Sequence, residues 1–317
     1  MREILRRLVA GELTDDEAIA ELRRLQMDEL GGRARLDLGR YMRRGIPEVV
    51  LAPGKSPAEA ARLAIRMAEQ HGQGLLSRMG GDHRAAVDEQ AERADMTVIA
   101  YHSSARVMRG GFAPEHVDAK VAILTAGTSD VPVADEARMV VEACGLDSRL
   151  EADLGVAGLH RFVGPLAAAL EWGADVVVVA AGMDGVLPGL VAGLVDVPVI
   201  GLPVSTGYGR GGAGEAALNT MLQSCSTGLT VVNIDNGIGA GTAAVLIAAR
   251  AAHGRRRGRS TATIASTIAP ANAPTNTATA APRERSAPPG KANTTPKASA
   301  AARIPSSSHG KPRRRRP

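Results

Sequence analysis

Residues 120–130 read Lys-Val-Ala-Ile-Leu-Thr-Ala-Gly-Thr-Ser-Asp, and this stretch decides the fold. Val121–Thr125 is a short apolar run typical of a buried strand, and Ala126–Asp130 leads into a helical pattern with Pro132 in its first turn. A glycine permits close backbone approach, while hydroxyls and free N–H groups at a helix start favour an anion such as phosphate. An ordinary helix cap explains the same residues equally well.

Toward the C terminus, predicted strands and helices alternate, joined by short loops. The further strands are Arg149–Asp153, Asp175–Ala181, Pro198–Pro203 and Leu229–Ile234, and the helices are Val133–Cys144, Arg161–Trp172, Gly214–Ser224 and Gly239–Ala252. This pattern predicts an α/β fold with a doubly wound parallel sheet, in which helices cover both faces. Ligands bind beyond the carboxyl ends of such strands. That rule selects four loops: Ala126–Asp130, Gly182–Gly185, Val204–Gly214 and Asp235–Gly239.

The chain is predicted to have four regions. Residues 1–30 form a helical segment, with Thr14 and Glu17 as a capping box. Residues 31–118 form a smaller N-terminal α/β region, with strands at Glu48–Leu51 and Thr97–Tyr101 and a helix that is capped by Ser56, begins at Pro57 and ends near Gly72. Residues 119–252 form the catalytic domain, and residues 253–317 a disordered basic tail poor in large apolar side chains.

The net charge of the whole chain is +5, but it is the sum of two regions with charges of opposite sign. The tail from His253 holds 14 Lys and Arg residues and one acid, and the rest holds 24 basic and 32 acidic residues. The folded part is therefore acidic, which argues against nucleic-acid binding by the body of the protein. Two cysteines give no disulfide framework, and the N terminus has no apolar signal segment, so we expect a soluble cytoplasmic protein. No membrane span is predicted.

Several single residues have both a chemical and an ordinary interpretation. Cys225 lies among small polar residues and is a candidate nucleophile, although a lone cysteine is more often a small core residue, as we expect of Cys144. His160 and Arg161 are either an acid–base group and an anion clamp or part of a surface loop. Asp184 ends a strand, where it could bind a cation, relay protons or simply form a turn.

The glycine-rich loop Gly207–Gly214 follows a predicted strand. It is a candidate lid or close-approach loop for a ligand, although glycines also serve simply to make turns. The histidines show no metal-ligand spacing, so no transition-metal site is expected.

Residues 120–250 resemble the aminoimidazole-ribonucleotide carboxylase fold family. Gly127–Asp130 is similar to that family's Gly-Ser-x-Ser-Asp loop, Val199–Val204 to its Val-Ile-Gly-Val-Pro strand, and Gln223–Gly228 to its Gln-Met-Pro-x-Gly segment. The purine enzymes carry a catalytic histidine in Ala-Ala-His-Leu-Pro-Gly, where this chain has Val186. A valine cannot carry a proton, so the resemblance points away from purine synthesis itself.

Residues 35–250 resemble more closely the LarB family of nickel-pincer cofactor biosynthesis. The similar segments are Asp37–Arg40, Gly45–Val50, Leu124–Ala134, Gly155–Arg161, Ala181–Met183, Gly193–Ile200, Ser224–Cys225 and Val231–Gly237. The resemblance implies that nicotinic acid adenine dinucleotide is carboxylated by carbon dioxide or bicarbonate at C5 of its pyridinium ring, and that its phosphoanhydride is then hydrolysed to release AMP. It implies Cys225 as the nucleophile and a magnesium ion for the hydrolysis, with no organic cofactor.

The resemblance also supplies roles for other residues. Asp184, which replaces an expected glutamate, is the candidate magnesium ligand, and Asp130 or His160 removes the C5 proton. The substrate-binding residues would be Asp37, Arg40, Ala126, Gly127, Thr128, Ser129, Arg161, Gly182, Met183, Gly207, Tyr208, Asn233, Asp235 and Asn236. The related fold is octameric, so a homo-oligomer is expected. Two alternatives stay open: another nucleotide carboxylase or mutase of this fold, and a polyanion-binding protein acting through the tail clusters at 255–259 and 313–316.

Overall fold

The computed structural model describes residues 2–24, 28–30, 34–36 and 44–268. The N-terminal segment contains α1 (Arg2–Val9), α2 (Asp15–Arg24) and the antiparallel pair β1 (Asp28–Leu30) and β2 (Ala34–Leu36). The Thr14 capping box is confirmed, because Thr14 N donates to Glu17 Oε2 at 2.8 Å and Glu17 N donates to Thr14 Oγ1 at 3.3 Å. The prediction that the whole of residues 1–30 is helical is wrong for residues 28–30, which form a strand.

The N-terminal α/β region is built on a mixed sheet. Its elements are β3 (Val49–Leu51), α3 (Pro57–His71), β4 (Gln73–Ser77), α4 (Gly81–Arg93), β5 (Met96–Tyr101) and β6 (Ser104–Arg109). The strand order is β3-β4-β6-β5, with β3 and β4 parallel and the other pairs antiparallel. The predicted limits of α3 are confirmed, since Ser56 caps its start and Gly72 ends it at φ 83°.

The predicted catalytic domain folds as the α/β unit that the sequence indicates. It comprises β7 (Lys120–Thr125), a 3-10 turn (Thr128–Asp130), α5 (Val131–Ala143), β8 (Asp147–Glu151), α6 (His160–Glu171), β9 (Val176–Ala181), α7 (Leu187–Ala192), β10 (Val199–Pro203), α8 (Glu215–Leu222), β11 (Leu229–Val231) and α9 (Gly237–Ile268). Within the described residues, these strands form one five-stranded sheet in the order β11-β10-β9-β7-β8, and every pairing is parallel.

Helices cover both faces of this sheet. On one face α5 and α9 pack through residues such as Val140 and Ala244, and on the other α6, α7 and α8 pack through residues such as Leu166 and Val191. All six residues of β9 are buried, as expected of a central parallel strand covered on both sides. The prediction of a doubly wound parallel sheet is therefore confirmed.

The last helix runs further than predicted. α9 continues through Ile268, beyond the predicted domain end at Ala252, so the prediction that disorder begins at His253 is wrong for residues 253–268. Arg255 explains part of the extension, because it pairs with Asp175 and donates to the Asp118 carbonyl at 3.0 Å. The rest of the predicted tail lies outside the described residues. Within them, no helix combines the length and apolar character needed to cross a membrane.

Candidate active site

A cleft of about 550 Å³ lies where the carboxyl ends of β7, β9 and β10 meet. This is the edge at which ligands bind in open α/β sheets. Nine residues predicted for the site line this cleft: Ala126, Gly127, Ser129, Asp130, Gly182, Met183, Asp184, Gly207 and Tyr208. Three of the four selected loops thus converge on one cavity.

Asp130 is the most constrained polar residue of the cleft. Its side chain is buried, with 3% of the residue exposed. Oδ2 accepts from Gly127 N at 2.8 Å, and Oδ1 accepts from Thr206 Oγ1 at 2.6 Å. Burial raises the pKa of Asp130 above its ordinary value although these hydrogen bonds oppose the shift. The carboxyl group is therefore held in place and is easier to protonate than an exposed aspartate.

The backbone around Gly182 leaves no room for a side chain. A Cβ at Gly182 would lie 2.1 Å from Thr206 Oγ1, and Met183 N donates to Thr206 O at 2.9 Å. Met183 adopts a left-handed φ of 48° and is half exposed on the cleft wall. The adjacent Asp184 is exposed, so its carboxylate faces solvent at the rim.

The glycine-rich loop carries one large side chain to the mouth of the cleft. Tyr208 is 83% exposed, and it follows Gly207, which adopts φ 147°. A Cβ at Gly207 would lie 3.3 Å from Met183 N, so this glycine allows the two loops to approach closely. The loop therefore borders the cleft and leaves the tyrosine free to contact a ligand.

Three predicted binding residues shape the neighbouring loop without lining the cleft. Asn233 Oδ1 accepts from Ile234 N at 2.9 Å, and Asn236 Oδ1 accepts from Gly239 N at 2.9 Å as a cap of α9. Asp235 Oδ1 accepts from Ser205 N at 2.8 Å. These side chains fix the backbone that follows β11, and Asp235 also raises the pKa of Asp130 by charge repulsion.

His160 and Arg161 begin α6 beside the cleft. Both lie outside its lining, although Gly155, Val156 and Ala157 of the preceding loop do line it. Arg161 forms an ion pair with Asp153, and its Nη1 would lie 3.6 Å from a Cβ at Gly155. Thr128 is exposed and also lies outside the lining. Asp37 and Arg40 lie outside the described residues.

The two cysteines differ in environment. Cys144 is buried at the C-terminal end of α5, and burial raises the pKa of its thiol to about 12, as expected of a core residue. Cys225 is exposed, between Ser224 and Ser226, in the loop that precedes β11. Ser226 Oγ donates to the Gly189 carbonyl at 2.7 Å, which holds this loop against α7. Cys225 does not line the cleft of its own chain.

Sequence reasoning missed seven residues of the cleft wall: Gly155, Val156, Ala157, Ala181, Val186, Leu187 and Thr206. Thr206 lies in Val204–Gly214, one of the four loops predicted to bind a ligand. Its contribution to the site is the hydrogen bond to Asp130, which joins two loops that are far apart in sequence. Its place in the loop after β10 was the only available signal. The sequence marks Val186 only as a valine at the position of a catalytic histidine in the purine enzymes.

The cleft offers two carboxylates, Asp130 and Asp184, and its described lining includes no Lys or Arg side chain. In the part of the chain that the structure describes, no three His, Cys, Asp or Glu side chains form a metal-binding group. Mg²⁺ commonly binds through one or two carboxylates and completes its shell with water and substrate phosphates. The exposed Asp184 fits that kind of ligation.

The fold and the cleft define an α/β protein with a ligand site at the carboxyl edge of a parallel sheet. Models of two families match the chain, AIR carboxylase over residues 120–263 and the LarB/PurE-like N-terminal domain over residues 27–110. An uncharacterized protein of Methanocaldococcus jannaschii is 36% identical over 258 residues, which cover 78% of this chain and 96% of that protein. The chain therefore belongs to the AIR carboxylase family, a family of enzymes, and carries a LarB-like N-terminal domain.

Two further similarities cover smaller parts of the chain. The N5-carboxyaminoimidazole ribonucleotide mutase of Thermotoga maritima is 33% identical over 91 residues, covering 27% of this chain and 51% of the mutase. A crystal structure of Treponema denticola PurE2 aligns at 17% identity with a TM-score of 0.32, covering 48% of this chain and 99% of that one.

Proposed function

We propose that this protein is a cytoplasmic enzyme that carboxylates the pyridinium ring of nicotinic acid adenine dinucleotide at C5 and then hydrolyses the phosphoanhydride. The products would be AMP and pyridinium-3,5-biscarboxylic acid mononucleotide, a precursor of a nickel-pincer cofactor. The observation that carries the proposal is the exposed Cys225 thiol in a carboxylase-family chain with a LarB-like N-terminal domain. Val186 on the cleft wall supports it, because the imidazole expected of a purine enzyme is replaced.

The Cys225 thiol would make C5 of the pyridinium ring nucleophilic. A pyridinium ring is electron-poor, so C5 cannot attack carbon dioxide. Addition of the Cys225 thiolate at C4 forms an S–C bond and moves an electron pair onto the ring nitrogen, which leaves a dihydropyridine with a nucleophilic C5. C5 then bonds to carbon dioxide, loses its proton, and the nitrogen electron pair expels the thiolate to restore the aromatic ring.

Asp130 suits the removal of the C5 proton better than His160. Asp130 lines the cleft and has a raised pKa, whereas His160 is exposed outside the lining. The raised pKa also makes Asp130 a stronger base than an exposed aspartate. Asp130 would accept the proton and be held in place by Thr206 and Gly127 N.

Asp184 would hold the magnesium ion needed for the second reaction. A divalent cation supplies charge neutralisation on the two phosphates during attack by water. Asp184 is exposed at the cleft rim, where a diphosphate could also contribute ligands. The role of the chain here is to place one carboxylate beside the phosphates.

A second copy of the chain would bring Cys225 to the cleft. The thiol lies outside its own cleft, and exposed apolar side chains lie close to it in sequence, on α7 or just after α7: Leu222 is 61%, Leu190 37% and Leu194 63% exposed. Apolar surface of this kind favours association. We propose a homo-oligomer, such as the octamer that the resemblance implies, in which these residues meet a neighbouring copy.

The decisive assay incubates the protein with nicotinic acid adenine dinucleotide, bicarbonate and magnesium, followed by mass spectrometry of the products. We expect AMP and the doubly carboxylated mononucleotide. Absence of both at saturating substrate would refute the proposal. Conversion of N5-carboxyaminoimidazole ribonucleotide instead would assign the protein to the mutases, the activity named for its Thermotoga maritima relative.

The two cysteines provide a matched pair of variants. Cys225→Ala should lose carboxylation by about 10³-fold or more, since the covalent route is closed. Cys144→Ala should keep turnover, because its thiol is buried. Quenched wild-type reactions should carry the substrate mass on the peptide containing Cys225. Normal turnover of Cys225→Ala would reject the covalent mechanism and leave the family assignment intact.

Coexpression tests the contribution of a second copy. Cys225→Ala and Asp130→Asn should each be inactive alone, but mixed oligomers of the two should regain part of the activity if thiol and cleft belong to different copies. No recovery in oligomers shown to contain both variants would mean that the thiol serves the cleft of its own chain.

A further inference from the structure

The N-terminal α/β region reaches the loops of the cleft through one guanidinium group. Arg78 follows β4 and adopts a left-handed φ of 58°. Its Nε donates to Glu136 Oε1 at 3.3 Å, and Nη2 donates to the Asp235 carbonyl oxygen. Arg78 therefore connects three parts of the chain: the end of β4, the first turns of α5 and the loop after β11.

Glu136 anchors one end of this connection. Only 3% of Glu136 is exposed, and Ser77 Oγ donates to its Oε1 at 2.5 Å. Its Oε2 has no hydrogen-bond partner among the described residues. A buried carboxylate is costly unless a cation accompanies it, and Arg78 lies within ion-pair distance of it. The guanidinium group is thus drawn to a fixed position.

The other end of the connection leads to Asp130. Asp235 also adopts a left-handed φ, 54°, and its N donates to the Pro203 carbonyl at 2.9 Å. Its carboxylate accepts from Ser205 N, and the next residue, Thr206, donates to Asp130. An unbroken series of short contacts therefore runs from Arg78 through Asp235 and the Ser205–Thr206 backbone to the buried carboxylate of the cleft.

We propose that Arg78 is a positioning residue for the cleft, through which the N-terminal α/β region holds the loops after β10 and β11. Nε and Nη2 of one planar group contact Glu136 and Asp235 together, a geometry that a lysine ammonium cannot reproduce with both partners. Loss of the guanidinium group should release the Asp235 peptide, weaken the Ser205 hydrogen bond and leave Thr206 less well placed against Asp130. The effect on catalysis rests on the proposed function, whereas the effect on the loop does not.

Hydrogen exchange of the full-length protein tests the loop directly. We compare wild type with Arg78→Asn, because asparagine tolerates a left-handed φ better than most residues and so preserves the turn. The Ser205 amide should exchange about tenfold faster or more in Arg78→Asn. The amide of Val177, which donates to Pro198 O at 3.0 Å inside the core, should keep its rate. Equal acceleration at both amides would mean general destabilisation and would overturn the proposal, as would no change at Ser205.

Arg84→Ala is the matched control. Arg84 is also an arginine of the N-terminal α/β region, but it pairs with Asp88 within α4 and makes no described contact with the catalytic domain. It should leave Ser205 exchange unchanged. Arg78→Lys should fall between wild type and Arg78→Asn, because it keeps the charge near Glu136 but not both contacts. Wild-type exchange in Arg78→Lys would show that the charge alone suffices and would reject the role assigned to the guanidinium group.

Turnover provides the second readout. With nicotinic acid adenine dinucleotide as substrate, Arg78→Asn should lower kcat by about ten- to a hundredfold with a smaller change in KM, because Asp130 is misplaced while the cleft persists. Unchanged kcat beside faster Ser205 exchange would refute the catalytic part. If wild type does not turn over this substrate, the proposed function fails, and the exchange data still decide whether Arg78 holds the loop.

Discussion

Burial of the Asp130 carboxyl group destabilises the folded protein, and the same group is the proposed base. Its folded-state pKa is raised above the ordinary value mainly by burial, so the carboxyl group holds a proton more readily in the folded protein than in the unfolded chain. The penalty is absent below the unfolded-state pKa and grows as pH rises through the raised folded-state pKa. Asp130→Asn should therefore gain stability relative to wild type at pH 7 to 8, while losing turnover.

Thermal melts between pH 4 and 8 check this prediction. The gain in stability of Asp130→Asn should shrink as pH falls toward about 4, the ordinary pKa of an aspartate, because the wild-type carboxyl group then begins to bind its proton in the unfolded state as well. A gain that is constant across this range would show that the carboxyl group is not destabilised by its burial.

Gly182 has a role that only the three-dimensional contacts reveal. In Gly182→Ala the new methyl group would lie 2.1 Å from Thr206 Oγ1 and 2.3 Å from the Thr206 carbonyl oxygen, so backbone must move. We expect the free energy of unfolding, measured in urea melts, to fall by about 1–3 kcal/mol, and the hydrogen bond from Thr206 to Asp130 to weaken. Gly81→Ala, where a Cβ meets nothing within 4 Å, should change stability little or increase it.

At the scale of single residues, the sequence predicted site residues that lie together in one loop. It did not predict the residues from distant segments that contact them. Gly127 and Asp130 were found because a buried strand, a glycine and a helix start follow one another along the chain. Thr206 and Arg78 act across separations of 76 and 157 residues, through hydrogen bonds to Asp130 and the Asp235 carbonyl. No local pattern encodes such contacts. Likewise, the chemistry of Cys225 suggested a nucleophile, but its position outside the cleft of its own chain could not be inferred.

The packing of α9 on α5 depends on small residues. A Cβ at Gly241 would lie 2.6 Å from the Ala137 carbonyl oxygen and 3.0 Å from Val140 Cβ. Gly241→Ala should therefore separate the helices and cost about 1–3 kcal/mol, despite the better helix propensity of alanine. Gly254→Ala in the same helix, with open space around it, should instead gain up to about 1 kcal/mol. Urea melts of both variants give the comparison, and equal effects would contradict it.

At the scale of elements, the sequence predicted strands and helices with strong apolar patterns. It missed elements with weaker patterns, among them α4, whose buried residues are Val87 and Ala91, and the strands β4 and β6, which carry buried polar groups. Leu229–Ile234 was predicted as a strand and is one as far as Val231. β4 and β6 were missed because each contains a residue that a strand core rarely accepts. Arg106 of β6 is buried and its Nε donates to Gln73 of β4 at 2.6 Å. Gly74 of β4 is needed because the Ala64 carbonyl would lie 2.0 Å from a Cβ there.

At the scale of the whole molecule, α5 is shared by both sheets. One side of α5 packs on the parallel sheet through residues such as Val140, and Met139 and Ala143 pack against Leu75 and Tyr101 of the N-terminal sheet. Gln73 Nε2 donates to the Ala143 carbonyl at 2.8 Å. Because Asp130 lies at the start of this helix, the N-terminal region supports the cleft through packing as well as through Arg78.

The contacts of α9 with the rest of the molecule place the C-terminal end of the folded domain beyond Ala252. A protein that ends at Ile268 should keep the thermal midpoint and turnover of the full chain, since α9 and its contacts are preserved. A protein that ends at Ala252 loses Arg255, which pairs with Asp175 and the Asp118 carbonyl. Asp175 Oδ2 also accepts from Lys120 N at the start of β7, so losing its cation should cost about 0.5–1 kcal/mol. Arg255→Ala in the full chain should reproduce that loss, and an unchanged melting midpoint in both would place the boundary back at Ala252.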